Sequence, residues 1–364
     1  MLIGLVGKPS SGKSTFFKAS TLANVDIANY PFTTIKANHA VAFVKIDCSD
    51  KFFNKQCNPR EGYCIHHNRF IPVDLMDVAG LIPGAHEGLG MGNQFLDDLR
   101  QADCLIHVVD GSGSTNEKGE DCGLLNHDPS KDVKFLEEEL DYWYFNILKK
   151  NWERITKLIE QEKRDVIKYL YKQFSGLRVT EGHIISALKI IHKENLKTWT
   201  KEDLFVFARE LRIYSKPMII AVNKLDLNGA DKNYERLKIE FPHLMICPCS
   251  AVSELALKEA NKNGLIEYIP GEIDFKITEK GETELSEQQK KGLEYVKENI
   301  LKKFEEGTGV QKILNKSIFD LLKYFPVYPG GVNKLEDSKG NVLPDCFLLP
   351  ENSTALDFAY RLHT

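Results

Sequence analysis

Cysteine is sparse. Eight residues (48, 57, 64, 104, 122, 247, 249 and 346) lie scattered through 364, far below the density of a disulfide scaffold, so reduced thiols are expected. No apolar run approaches the ~18–20 residues needed to cross a bilayer, so no membrane contact is expected. The first residues, Leu2-Ile3-Gly4-Leu5-Val6, run directly into a Gly/Ser-rich turn without a basic leader, which predicts no secretory signal and a cytoplasmic protein. Neither sign of charge dominates: 48 Lys and Arg against 52 Asp and Glu leave a formal net charge of −4. A globally basic nucleic-acid binder is thereby excluded, although a local basic face is not. Internal repeats and low-complexity tracts are also lacking, which excludes a solenoid. What remains is an ordinary globular composition, 42% hydrophobic and 27% charged, with length for two or three domains.

The apolar pattern predicts an α/β fold. Strands are expected at Leu2–Val6, Ala40–Ile46, Ile71–Met76, Cys104–Val109, Met218–Val222 and Leu244–Cys247, with a helix at Lys13–Leu22. Short buried strands separated by helices read as a mostly parallel sheet with helices on both faces. Between Ser112 and Ser215 the texture changes. Leu136, Leu140, Trp143, Ile147, Trp152, Ile155 and Ile159 recur at three to five residues, the spacing of an amphipathic helix, continued by Val166–Phe174 and Ile184–Ile191. Because strands resume afterwards, this is an α-helical insertion. Its stretch Lys149–Lys172 holds eight Lys/Arg against four Asp/Glu, a solvated face or a nucleic-acid surface. A helix is expected over Ser286–Phe304, opened by a Ser286/Gln289 capping box. From Phe325 onward, Pro/Gly turns alternate with extended segments at Val327-Tyr328 and Cys346–Leu349, before a short helix from Ser353. The expected units are therefore 1–112 and 215–324 for the α/β domain, 113–214 for the insertion, and 325–364 for a small third unit.

The chemistry begins at Gly7-Lys8-Pro9-Ser10-Ser11-Gly12-Lys13-Ser14, with Thr15 next, which fits G-x-x-x-x-G-K-[S/T] between a strand and a helix. The two glycines let backbone N–H groups turn toward phosphate oxygens, and the helix N-terminus adds positive potential. Lys13 is expected on the β- and γ-phosphates and Ser14 on Mg²⁺. Asp77-Val78-Ala79-Gly80 ends the next strand. Its aspartate suits a water-bridged Mg²⁺ contact, and the Gly80 N–H can sense the γ-phosphate. Within Tyr30-Pro31-Phe32-Thr33-Thr34, one threonine can complete the metal shell. Asn223-Lys224-Leu225-Asp226 closes the series. A carboxylate there accepts paired hydrogen bonds from guanine N1–H and its amine, donors that adenine lacks. Asn223 is expected to tie this loop to the phosphate loop, Lys224 to pack along the nucleotide, and Ser250-Ala251 to offer an N–H to the guanine carbonyl. Five elements in this order predict a P-loop GTPase with GTP and GDP as ligands.

On these residues the chain resembles the Obg superfamily of GTPases, specifically its archaeal YchF-type branch, over nearly its whole length. The strings that carry the resemblance are Tyr30–Ile35 (YPFTTI), Asp77–Glu87 (DVAGLIPGAHE), Gly90–Arg100 (GMGNQFLDDLR), Gly340–Leu349 (GNVLPDCFLL) and Ser353–His363 (STALDFAYRLH). The resemblance implies a G domain with a helical insertion and a C-terminal TGS unit of the β-grasp type, whose later strands are expected to be missing here. It also implies work on or near the ribosome, with RNA as a contact; a monomer is the favoured state. Many YchF relatives carry glutamate at the position of Asp226 and prefer ATP, so the aspartate predicts GTP. Obg-type loops commonly place Asn where Ser10 stands, and serine is a shorter arm for a potassium ion. Leu81 occupies the place of the water-orienting glutamine of Ras-type enzymes, which predicts slow intrinsic hydrolysis. His86 on the same loop is a candidate to reach the attacking water, an exposed histidine without a chemical role being the simpler reading. Two other functions stay open: a nucleotide-gated RNA-binding adaptor with incidental hydrolysis, and an ATPase.

Cys57, Cys64, His66 and His67 suggest zinc, yet the spacing C-x6-C-x-H-H is wider than a structural C-x2–4-C, and neighbouring histidines diverge. The expectation is that no metal binds there. Cys247 and Cys249 are expected to be packing residues.

Overall fold

A computed structural model describes residues 1–22, 38–78, 92–161, 165–193, 195–330 and 334–363. Strands β1 (Leu2–Val6), β2 (His39–Asp47), β3 (Tyr63–Ile65), β4 (Asn68–Asp77), β5 (Cys104–Asp110), β6 (Met218–Asn223) and β7 (Met245–Pro248) form one sheet in the order β2-β4-β1-β5-β6-β7, with β3 also on β4. β1, β4, β5, β6 and β7 run parallel, while β2 and β3 pair antiparallel to β4. The α/β expectation and the mostly parallel sheet are met. β5 and β6 are buried along their whole length, as central parallel strands must be when both faces are covered.

Side chains alternate between two cores. Ile3, Leu5, Leu75, Ile106 and Val108 face α1 (Lys13–Thr21), α8 (Ala251–Lys262) and α11 (Val310–Lys316) through Phe16, Ala251 and Ile313. Val6, Met76, Leu105 and Val109 face the opposite side, against α3 (Pro129–Gln161), α6 (Lys201–Ser215) and α7 (Ala230–Glu240). The insertion is thus anchored to the sheet rather than projecting from it. α3 and α6 are locked by Arg212, whose Nε donates to Asp141 (2.7 Å) and whose Nη2 donates to Glu137 (3.4 Å), and by Tyr144 against Ser215 Oγ (2.8 Å). α4 (Val166–Phe174) and α5 (Glu181–Ile191) complete this layer, and the Trp152 and Trp199 rings stack at 5.1 Å.

Between β5 and α3 the texture is not helical. Residues 111–128 form a turn-rich loop closed by a Thr115–Asp121 bridge. The capping box at Ser286 is present, with Gln289 reciprocating, and α10 (Glu287–Val296) passes into a π-helical turn at Lys297–Leu301. Toward the C-terminus β10 (Tyr324–Val327) pairs antiparallel with β11 (Phe347–Pro350), ahead of α12 (Ala355–His363). The first of these strands starts three residues earlier than the Pro/Gly pattern suggests, because the turn residues mark where β10 stops pairing.

Candidate nucleotide site

The carboxyl ends of β1, β4, β5 and β6 lie side by side, with Leu5 opposite Asp77, Val6 opposite His107 and Asp110 opposite Asn223. That edge is where open α/β sheets bind ligands. The loop Gly7–Gly12 leaves β1 there and delivers its last residues into α1. Gly12 has φ +90°, and a Cβ at this position would lie 2.2 Å from Asn223 Nδ2. Glycine is therefore required twice over, by backbone conformation and by the approach of Asn223. Ser10 also takes a positive φ, 62°, which curls the loop further.

Asn223 is the joint of the site. Its Nδ2 donates to the Ser11 carbonyl (3.0 Å) and its Oδ1 accepts from the Ala251 N–H (3.0 Å), so one buried amide holds the phosphate loop, the end of β6 and the start of α8 together. Lys13 pairs with the Asp77 carboxylate and donates to the Val78 carbonyl (2.7 Å). Asp226 accepts from Ser250 Oγ (2.7 Å), which holds the carboxylate in one orientation, and Tyr295 donates to the Asp226 carbonyl (2.7 Å).

Two stretches of the site have hydrogen-bond partners that the motifs do not announce. The Lys8 side chain is buried, paired with Asp132 of α3 (2.8 Å) and donating to the Thr115 carbonyl (2.6 Å). Only its backbone is left for phosphate. The backbone N–H groups of Ser250 and Ala251 are also committed, the first to the Thr308 carbonyl (2.9 Å) and the second to Asn223. Neither is free for a guanine carbonyl in this arrangement; Ser250 acts through its hydroxyl, on Asp226. Pro9 and Ser14 are exposed and Thr15 half-buried at the start of α1. Thr33, Thr34, Gly80 and His86, with the strings around them, lie outside the described residues.

Asp110, which sequence reasoning passed over, organises the site from below. It is fully buried. Ser112 N–H (3.1 Å) and Oγ (2.6 Å), Ser114 Oγ (3.0 Å), Thr115 Oγ1 (2.7 Å) and Lys224 Nζ (2.9 Å) all donate to it. Burial alone would raise its carboxyl. The bonds from Ser112, Lys224 and Thr115 outweigh that and hold it below the ordinary carboxylate range. Lys224 is thereby aimed at the end of β5, with φ 65°. The loop 111–128 in turn closes on the phosphate loop: a Cβ on Gly119 would sit 2.6 Å from Pro9 Cβ. The available signal was the aspartate ending a strand apolar but for His107, followed by Ser112, Ser114 and Thr115.

Known proteins place the chain. Residues 2–140 match a model described as 50S ribosome-binding GTPase, and residues 221–331 match one described as Obg-like GTPase YGR210-like, G4 motif-containing domain. An uncharacterized GTP-binding protein of Methanocaldococcus jannaschii is 50% identical over 364 residues, covering 100% of this chain and 90% of its own length. The crystal structure of a GTP-binding protein from Pyrococcus horikoshii superposes with a TM-score of 0.77 at 37% identity, over 100% of this chain and 90% of that one. The protein named ribosome-binding ATPase YchF from Buchnera aphidicola is 32% identical over 238 residues, 64% of this chain and 59% of its own. With the phosphate loop, Asp77 and the Asn223–Asp226 loop gathered on one sheet edge, and with a relative 50% identical across the whole of this chain, the chain belongs to the Obg-like, YchF-type family of P-loop GTPases.

Proposed function

We infer that the chain binds GTP with Mg²⁺, hydrolyses it to GDP and phosphate, and uses the nucleotide state to switch its contact with the ribosome or ribosomal RNA. The observation that carries this reading is the Asn223 joint. It ties the loop bearing Asp226 to the loop bearing Lys13, so a base-reading carboxylate and a phosphate-binding ammonium are held at fixed separation on one edge. Asp226 would accept from the two guanine donors, its orientation set by Ser250. The backbone of Gly7–Ser14 would cradle the phosphates, and Lys13 would exchange its pairing with Asp77 for phosphate oxygens. Ser14 and Asp77 offer hard oxygen donors beside Lys13, a set that suits Mg²⁺. Bound there, the ion would neutralise charge developing on the transferred phosphoryl group. Gly80, Thr33 and Thr34 would respond to the γ-phosphate, and His86 is the candidate for the attacking water.

Support for the ribosome comes from the printed name of the Buchnera relative and from the exposed bases Lys149, Lys150, Lys157 and Lys168 on α3 and α4. If hydrolysis is incidental, those bases alone carry the function. Side-by-side titration of GTP and ATP with Mg²⁺ into the parent and Asp226→Glu, with phosphate release followed, tests the assignment. GTP preference in the parent, reduced in the variant, is expected. Equal or better ATP binding by the parent would overturn the reading of the base. Ribosome co-sedimentation with Lys149, Lys150, Lys157, Arg164 and Lys168 neutralised tests the contact.

A further inference from the structure

The β2–β4 hairpin closes, at the end away from Asp77, on a cluster unrelated to nucleotide chemistry. Cys48 follows β2 directly, Cys57 lies in the connecting loop and Cys64 is the middle residue of β3. Their sulfurs and a carboxylate oxygen of Asp50 all lie within 4.8 Å of one another. Cys48 and Cys57 Sγ are 3.4 Å apart, and Cys64 Sγ is 3.9 Å from Asp50 Oδ2. Tetrahedral ligands about 2.3 Å from a zinc ion stand about 3.8 Å from each other, so the four atoms already have the spacing of a four-ligand shell.

Asp50 separates this from a simple nest of buried thiols. Its side chain is fully buried, an expensive position for a carboxylate among apolar sulfurs unless a cation compensates it. The surroundings are those of a supported metal shell. His67 Nδ1 (2.9 Å) and the Cys57 N–H (2.7 Å) hold the two Asp50 oxygens. Arg69, 1% exposed, places Nη1 3.7 Å from Cys57 Sγ, and Tyr328 donates to Cys48 Sγ at 3.6 Å. Both cushion the negative charge that three thiolates and a carboxylate would bring.

We propose that Cys48, Cys57, Cys64 and Asp50 bind one zinc ion that pins the β2–β4 hairpin to the C-terminal segment. Three thiolates select a thiophilic divalent ion, and the carboxylate favours zinc over monovalent copper. The ligands lose their thiol protons to solvent on binding, with no change of oxidation state. The histidines take other roles than the spacing suggested: His67 orients Asp50, and His66 stands apart from the ligands. The pin reaches the third unit through Arg69, whose Nη1 and Nη2 donate to the Leu343 and Pro344 carbonyls (3.0 Å each), and through the Asn58 and Arg60 N–H groups, which donate to the Val342 and Pro344 carbonyls.

Elemental analysis of the full chain, purified reduced and without chelator from zinc-supplemented culture, tests the site. About one zinc per chain is expected in the parent and in Cys122→Ser, and about a tenth of that or less in Cys57→Ser and Cys64→Ser. Cobalt exchanged into the parent should give an intense thiolate-to-cobalt charge-transfer band that each ligand variant weakens. The parent measurement stands even if a ligand variant fails to fold. A metal-free parent, iron in place of zinc, a Cys48–Cys57 disulfide in peptide mapping, or full zinc retention in both ligand variants would each overturn the assignment.

Discussion

Removing the Asp110 carboxylate should destabilise the molecule far more than an ordinary polar deletion. In Asp110→Ala, the Ser112 N–H, the Ser112, Ser114 and Thr115 hydroxyls and the Lys224 ammonium lose their common acceptor. Ser112 is fully buried and Thr115 nearly so, and each stranded buried donor costs about 1–3 kcal/mol. Lys224 keeps some access to water, and the hydroxyls can rotate, so the sum is less than the parts. A loss of about 3–5 kcal/mol is expected, the range for breaking a buried ion pair. Asp110→Asn makes the sharper comparison. Either orientation of its amide turns an NH₂ toward an obligate donor, Ser112 N–H on one side or Lys224 on the other. A loss of about 1–3 kcal/mol is expected there. The pH dependence follows from the depressed carboxyl. Its folded-state pKa lies below the unfolded value, so its stabilisation is present above the ordinary carboxylate range and is lost as pH falls through the folded pKa. Urea unfolding of parent and variants at neutral and acid pH measures all three. An alanine variant within about 1 kcal/mol of the parent would refute the argument, because the five donors would then have no need of Asp110.

His107 is buried and held neutral, its pKa lowered to about 3 by burial and by Lys8. The unfolded chain takes up a proton near pH 6.5 that the fold refuses, so stability should fall between pH 6.5 and 3 by up to about 1.4 kcal/mol per pH unit, and His107→Leu should flatten that limb in pH-dependent urea unfolding. Gly12→Ala should abolish nucleotide binding in equilibrium titration and cost about 1–2 kcal/mol of stability, since its Cβ would meet Asn223 and its φ is left-handed; retained affinity would show that the loop can shift. Lys8→Met and Asp132→Asn should each weaken the nucleotide dependence of ribosome co-sedimentation, and the double variant should be no worse than either single one. Unchanged dependence would exclude this pair as a link to the helical arm.

The residues show what was legible in the sequence. Every strand of the main sheet except the three-residue β3 was visible as an apolar run. The runs fell short where polar residues extend the pairing: Asn68 and Arg69 belong to β4, and Arg69 is buried despite its charge because the Leu343 and Pro344 carbonyls receive it. Strand order and the antiparallel placement of β2 were not legible, since the 20-residue connection to β4 carries no tight-turn signal. The phosphate loop and the Asn223–Asp226 loop were legible because each motif is contiguous. Their mutual tie through Asn223 was an expectation of the motif, and the amide makes it by donating to Ser11 and accepting from Ala251 at once. The Lys8 pairing was not legible for the opposite reason: its partner, Asp132, is 124 residues away and no local pattern announces it.

That distinction between contiguous and assembled features also orders the physics of the site. The motifs supply groups that touch nucleotide, but the groups that hold those motifs in place come from elsewhere in the chain. Asp110 fixes Lys224, Ser250 fixes Asp226, and Asp132 fixes Lys8. The loop 111–128 takes part in two of these anchors. It supplies Ser112, Ser114 and Thr115 to Asp110 and the Thr115 carbonyl to Lys8, and it abuts Pro9 at Gly119. Its end carries His127, whose Nε2 lies 2.9 Å from Asp132 Oδ1 at the start of α3. A displacement of the phosphate loop at Lys8 or Pro9 is therefore felt at the first turn of the helix that leads to the basic face. The contacts are buried and paired, so they can change partners but cannot slacken without stranding charge. A switch needs such an all-or-none connection, and the resemblance to a family would not by itself have located it.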